Sequence, residues 1–233
     1  RTEPARRRRL RTWRPGEESW QLRHATEAGE PLLDLASNDY LGLSRHPDLV
    51  QAATEALHAE GVGSGGSRLV TGSRPSHDEL ERALADWIGR DRVLLFPSGF
   101  QANIAAVGAL ANRHSTVLAD RLIHHSLLVG VQACGARLQR FAHNDLADLE
   151  RRLANLSSDA APLVISESLF SMEGTSPDVE ALARLCARHG ARLLIDEAHA
   201  LGVLGIGGRG LCYAMQQPVD LISGTFGKAF GSG

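Results

Sequence analysis

The chain is predicted to fold as an α/β domain with a mostly parallel central sheet flanked by helices. Short apolar runs alternate with stretches of helical period from about residue 93 onward. Breakers and helix-start residues such as His46-Pro47, Gly61 and Ser98-Gly99 separate the segments. With 233 residues, 43% of them hydrophobic, the chain can bury a full core in one large domain.

The elements follow in order. Residues 1 to about 30 are charged and broken at Pro15-Gly16, and are expected to form a helical arm and a linker. The division expected is an arm and linker over 1–45 and a large domain over 46–233. An amphipathic stretch, Asp48 to Glu60, predicts the first helix, stopped by Gly61. A glycine-rich loop runs to Gly72. Ser76 is then expected to cap a helix reaching Ile88, with Glu79 three residues on completing a capping box. Strand Val93–Phe96 precedes helix Phe100–Asn112, and strand Thr116–Ala119 precedes helix His125–Ala133. Helix Leu146–Leu156, strand Leu163–Ser166 and helix Val179–His189 come next, then strands Leu193–Ile195 and Leu221–Ser223. In such sheets ligands sit beyond the carboxyl ends of the strands.

The bulk numbers exclude more than they assign. A net charge of −2 gives no general pull toward nucleic acid or an anionic membrane. The run Arg6 to Arg9, with Arg11 and Arg14, is a basic arm that is either solvated or a docking site for a phosphate-bearing substrate. Cys134, Cys186 and Cys212 are odd in number and widely spaced, which fits reduced thiols in a cytoplasmic protein rather than disulfides or a metal site. No apolar stretch approaches the length of a membrane span. A chain that begins at Arg1 and stops in a glycine-rich turn soon after Lys228 is expected to be a piece of a longer protein.

Two motifs mislead. Asp196-Glu197-Ala198-His199 spells a helicase box, but no phosphate-binding GxxxxGK[ST] loop stands upstream of it. The only Gly-Lys pair lies downstream and is followed by Ala229. Gly205 to Gly210 matches GxGxxG, yet no clear amphipathic helix opens at its end and Asp220 comes too soon for the ribose-binding acid. It reads as a flexible loop beside a site.

The chemistry centres on a scarcity. Of 25 basic residues one is lysine, Lys228, and the rest are arginine. A guanidinium stays protonated, whereas an amine can form a Schiff base or abstract a proton. A pyridoxal phosphate (PLP) enzyme needs such a lysine, a carboxylate that keeps the pyridine nitrogen protonated, and backbone amides at a helix start that cradle the phosphate. Asp196, at the end of the run Leu193–Ile195, can supply the carboxylate, and Ser98-Gly99-Phe100 the cradle.

The motifs then carry a resemblance. Ser37-Asn-Asp-Tyr-Leu-Gly-Leu43, Gly63-Ser-Gly-Gly-Ser-Arg68, Ser98-Gly-Phe100, Asp120-Arg-Leu-Ile-His124, Phe141-Ala-His-Asn-Asp145, Phe170-Ser-Met-Glu-Gly174, Asp196-Glu-Ala-His199 and Thr225-Phe-Gly-Lys228 occur in that order. From about Leu32 to its end the chain resembles the α-oxoamine synthases, PLP-dependent enzymes of the aspartate-aminotransferase-like fold (fold type I). The resemblance implies pyridoxal 5'-phosphate as cofactor and a homodimer. It assigns Lys228 to the cofactor aldehyde, Asp196 to the ring nitrogen and His124 to stacking on the ring. Gly99, Phe100 and Thr225 are assigned to the phosphate side, and His199 and Ser171 to the phenolic oxygen. It matches Asn38 to a contact with the amino-acid carboxylate and Arg7 to a substrate-binding arginine. His143 and Asn144 read as structural.

The implied reaction is a decarboxylative condensation of L-alanine with a pimeloyl thioester, carried by CoA or by a carrier protein. Lys228 must be neutral to act as the base, so burial and the cofactor are expected to lower its pKa. His199 is expected to donate to a developing oxyanion. Two alternatives stand beside this reading. One is a sister enzyme of the glycine C-acetyltransferase or 5-aminolevulinate synthase type, which uses glycine. The other is a fragment that binds PLP without turnover.

Overall fold

The computed structural model describes residues 10–26, 29–156 and 161–232. Where a helical arm is expected, the chain instead forms a small antiparallel sheet of β1 (Trp13–Pro15), β2 (Gln21–His24) and β3 (Leu32–Leu33). The breakers explain the difference. Pro15 and Gly16 end any helix, and the Gly16 amide donates to the Gln21 carbonyl at 2.8 Å, turning β1 back on β2. Trp13 packs edge-on against His24, with ring centroids 5.3 Å apart.

Helix α1 (Pro47–Glu60) starts at His46, whose Nδ1 accepts the Asp48 amide, and stops at Gly61. Helix α2 (Pro75–Ile88) begins earlier than the Ser76 cap predicts. Pro75 brings a fixed φ and no N–H to lose, so it opens the helix itself. The box is closed by the Arg74 amide donating to His77 Nδ1 at 3.0 Å, while the Ser76 hydroxyl donates to Glu60 Oε2 at 2.6 Å. The glycine-rich loop between α1 and α2 is tied down by Arg68, which reaches Glu81 at 2.6 Å, and by Arg74, which donates to the Ser64 carbonyl at 2.7 Å.

The large sheet joins β4 (Thr116–Asp120), β5 (Arg137–Phe141), β6 (Leu163–Glu167), β7 (Arg192–Asp196) and β8 (Leu221–Ser223) in the order β5-β4-β6-β7-β8. Every pairing is parallel, and Glu167 lies opposite Asp196 in the register. Helices α3 (Gly99–Leu110) and α4 (His125–Cys134) cover one face, α5 (Leu146–Ala154) and α6 (Val179–Arg188) the other. Leu193 and Ile195 pack with Leu149 and Leu182 on the second face; Leu194 packs with Val107 and Leu127 on the first. This alternation explains why β6 and β7 read as unbroken apolar runs: both faces are covered. Gly130 lets α3 and α4 close up, since an added Cβ would come within 2.9 Å of Val107 Cβ.

Val93–Phe96 is not a strand. Its Leu95 amide is spent on Glu81 Oε1 at 2.8 Å, and Leu94 and Phe96 are exposed. With β8 this segment lines an apolar groove of about 860 Å³. Strand β5, in contrast, was not expected from the sequence; Arg137-Leu-Gln-Arg-Phe141 is an edge strand whose polar residues break the apolar signal. No described helix is long and apolar enough to cross a membrane.

Candidate active site

The parallel sheet brings its chemistry to one rim. Asp196 ends β7, Glu167 ends β6 and Asp120 ends β4. The loops leaving those ends and the end of β8 carry His124, Ser171, His199, Thr225 and Lys228. From β4 the sheet grows both ways, to β5 on one side and β6 on the other, and crevices at such switch points are where ligands enter.

Lys228 is half-buried, and its Nζ lies 2.7 Å from His199 Nε2. Burial lowers its pKa, the direction expected, opposed by the nearby carboxyls of Asp196 and Glu167. Burial, then the Lys228 charge, pull the His199 pKa down to about 4. His199 Nδ1 in turn sits 2.7 Å from the Tyr40 hydroxyl, which donates to Asn38 Oδ1 at 3.1 Å. An ammonium can only donate, so a charged Lys228 sets one direction: amine to Nε2, Nδ1–H to the phenol, phenol to the Asn38 amide. Asn38 thus joins the lysine through two intermediates.

Asp196 is 6% exposed. Its Oδ1 accepts the Ala198 amide at 2.9 Å, and its Oδ2 accepts from Asn103 Nδ2 at 2.8 Å. His124 caps α4, with Nδ1 2.7 Å from Ser126 Oγ, and its backbone N–H donates to Glu167 Oε1 at 2.6 Å. Burial, then the charge of Asp196, push the Glu167 pKa up to about 8. At neutral pH Glu167 is therefore mostly a neutral acid.

Gly99 and Phe100 open α3, whose first N–H groups have no intrahelical partner. Ser98 takes one of them, accepting the Gln101 amide at 3.2 Å. Thr225 stands against this helix start: a Cβ added to Gly99 would lie 3.4 Å from Thr225 Cβ. Phe100 is exposed. These groups suit a phosphate, which accepts from amides and is favoured by the positive end of a helix. Ser171 lies exposed on the turn after β6, and Arg7 lies outside the described residues.

Tyr40, Asn103, Ser126 and Glu167 complete the cluster without having been expected. Asn103 could have been flagged as a polar residue well inside a mostly apolar helix, and Tyr40 as the ring in the Asn38-to-Gly42 motif. His143 and Asn144 hold the rim from behind: His143 Nδ1 is 3.0 Å from Asp120 Oδ1, and the Asn144 amide donates to Asp120 Oδ2 at 2.8 Å. The loop Gly205–Gly210, read from the sequence as flexible, is instead tightly pinned. Gly210 donates to the Leu204 carbonyl at 3.0 Å, and Glu197 Oε1 accepts the Leu211 amide at 2.7 Å.

Known proteins fit this arrangement. The family model for aminotransferase class I and II matches residues 30–233. The chain is 46% identical to the 8-amino-7-oxononanoate synthase of Chromohalobacter salexigens over 91% of its own length and 56% of that protein's. It is 47% identical to the enzyme of that name from Klebsiella pneumoniae, over 87% and 52% of the two lengths. Its structure superposes on a lysine-to-alanine variant of serine palmitoyltransferase from S. paucimobilis, solved with a bound PLP–myriocin aldimine, with a TM-score of 0.90 at 32% identity. That match covers 96% of this chain and 56% of the other. An 8-amino-7-oxononanoate synthase from Francisella tularensis superposes with a TM-score of 0.72 at 29% identity, over 84% and 55% of the two chains. The chain spans about half the length of the curated relatives it matches. With that match over residues 30–233, the chain belongs to the class I and II aminotransferase family.

Proposed function

We propose that this chain carries the cofactor site of an 8-amino-7-oxononanoate synthase. That enzyme would condense L-alanine with a pimeloyl thioester, of CoA or a carrier protein, releasing carbon dioxide and free thiol as a step of biotin synthesis. The observation that carries the reading is the meeting of Lys228, the lone lysine, with His199 at 2.7 Å beside buried Asp196. The 45–47% identity to synthases of that name supports the substrate assignment.

The residues present fit PLP. Lys228 would hold its aldehyde, Asp196 its ring nitrogen, His124 one ring face, and Gly99, Phe100 and Thr225 its phosphate; His199 and Ser171 would stand on the phenolic side. When bound, PLP supplies an electron-accepting ring that takes up the charge left at an amino-acid Cα. Asp196, oriented by the Asn103 amide and the Ala198 N–H, would hold a proton on the ring nitrogen. Lys228, once its amine is free and neutral, would take the alanine Cα proton, and burial favours that neutral form. Its partner His199, uncharged at neutral pH, can pass a hydrogen bond on to Tyr40 or give one to a developing oxyanion. Asn38 would contact the substrate carboxylate and Arg7 the acyl substrate. A homodimer is part of the proposal.

The test supplies the full-length protein with alanine, glycine or serine, each with pimeloyl-CoA, acetyl-CoA, succinyl-CoA or palmitoyl-CoA, and measures free thiol. Release is expected with alanine and pimeloyl-CoA. Preferred turnover of glycine with acetyl- or succinyl-CoA would reassign the chain to a sister synthase. No turnover with any pair would leave a binding role alone.

A further inference from the structure

Asn103, which orients Asp196, has a second contact that the chemistry above leaves unused, to a buried serine. Asn103, on α3, is 4% exposed, and Ser126, in the first turn of α4, is fully buried. Asn103 Nδ2 donates to Asp196 Oδ2 at 2.8 Å and to Ser126 Oγ at 2.9 Å, which uses both protons of the amide nitrogen. Turning the amide over would set its carbonyl oxygen against the Asp196 carboxylate, two acceptors with no proton between them. The Asn103 Oδ1 is buried with no partner among the described residues, so the amide is held by its donors.

This orientation propagates. Because Ser126 Oγ accepts from Asn103, its own proton is free for the remaining neighbour, His124 Nδ1, at 2.7 Å. The Ser126 backbone N–H, which can only donate, faces the same nitrogen at 3.3 Å. A backbone N–H can only donate, so Nδ1 must keep its lone pair for it, and the Ser126 hydroxyl proton then supplies a second donor to the same nitrogen.

We infer that Asn103 and Ser126 are positioning residues that fix the His124 ring in the tautomer bearing its proton on Nε2. The Asp196 carboxylate orients the Asn103 amide at one end of the chain, and the Ser126 backbone N–H orients the imidazole at the other. The acid and the histidine then form one unit, and His124 presents Nε2–H, a donor, on the side of its ring away from Ser126. The tautomer follows from the hydrogen-bond geometry alone; its use in turnover rests on the function proposed above.

The test is nitrogen-15 NMR of the full-length, cofactor-loaded protein with labelled histidine, the His124 signals assigned by their loss in His124→Gln. In the wild type the bare-nitrogen resonance is expected on Nδ1 and the protonated one on Nε2. A proton found on Nδ1 overturns the inference without any variant. Ser126→Ala removes the hydroxyl donor, and should shift His124 toward a mixture of tautomers; Ser126→Thr, which keeps the hydroxyl, should restore the single form. An unchanged tautomer in Ser126→Ala removes Ser126 from the mechanism. Turnover by Ser126→Ala is expected to fall roughly tenfold, the scale of one hydrogen bond lost, with the alanine KM little changed. A wild type with the expected tautomer but no alanine turnover would count against the proposed function and leave the positioning chain standing.

Discussion

Glu167→Gln should make the protein more stable in mild alkali, although it deletes a carboxyl from the candidate site. Burial and the charge of Asp196 hold the Glu167 pKa at about 8, against an ordinary 4.5. A carboxyl of raised pKa stabilises the fold fully below its unfolded value, and that contribution is lost as pH climbs from there through the folded value. Integrated between pH 5.5 and 8.5, the wild type loses about 3 kcal/mol from this group alone. Glutamine is close in shape, can still accept the His124 N–H that Glu167 accepts at 2.6 Å, and does not titrate. Thermal unfolding of the two proteins at matched pH isolates the difference, because every other ionisation is shared. The Tm of Glu167→Gln should gain on wild type by roughly 6–12 °C between the two pH values, using about 2–4 °C per kcal/mol for a chain of this size. Tm–pH curves that stay parallel would mean that Glu167 is ionised at neutral pH, paired with Lys228, and the account of the buried acid pair would fail.

Four further outcomes follow from the geometry. Lys228→Arg should abolish turnover, and borohydride should fix PLP to Lys228 in the wild type; peptide mapping that finds the label elsewhere removes the central residue. Tyr40→Phe leaves His199 Nδ1 without its phenol partner at 2.7 Å, and turnover should drop roughly tenfold while cofactor absorbance is kept. Gly210→Ala should destabilise by about 2 kcal/mol or more, since φ is +86° and the new Cβ would collide with the Glu197 carboxylate; denaturant unfolding reads the loss. Leu182→Ala empties a site only 1% exposed between α6 and the sheet and should cost about 2–5 kcal/mol in the same assay.

The fold was legible where one signal dominated. Strands β6 and β7 declared themselves because both faces are covered, so Leu163–Ile165 and Leu193–Ile195 are unbroken apolar runs. Strand β5 stayed hidden: an edge strand keeps one side in water, and Arg137 and Arg140 look the same in a loop. Val93–Phe96 failed the opposite way. Its sequence has strand character, but strand is a property of pairing, and its Leu95 amide bonds a side chain instead of a neighbouring ladder. The arm was misread because charge suggested helix while Pro15-Gly16 specified a turn.

The site divides along the same line. Lys228, Asp196, His199 and His124 could be named from sequence because each is a residue type with chemistry of its own, set in a motif at a strand end. Asn103, Ser126, Tyr40 and Glu167 act only through what they touch, and those contacts span 23 residues for Asn103 and Ser126, 93 for Asn103 and Asp196, and 159 for Tyr40 and His199. Nothing local marks such a residue. The sheet register supplies the missing information: it sets Glu167 beside Asp196, and α3 packed on α4 sets Asn103 between Asp196 and Ser126. Burial beside Asp196 holds Glu167 neutral, while Asp196 takes the Asn103 amide. The fold therefore does more than gather reactive groups. By setting the Asn103 amide between the Asp196 carboxylate and Ser126, it decides which way that amide must point.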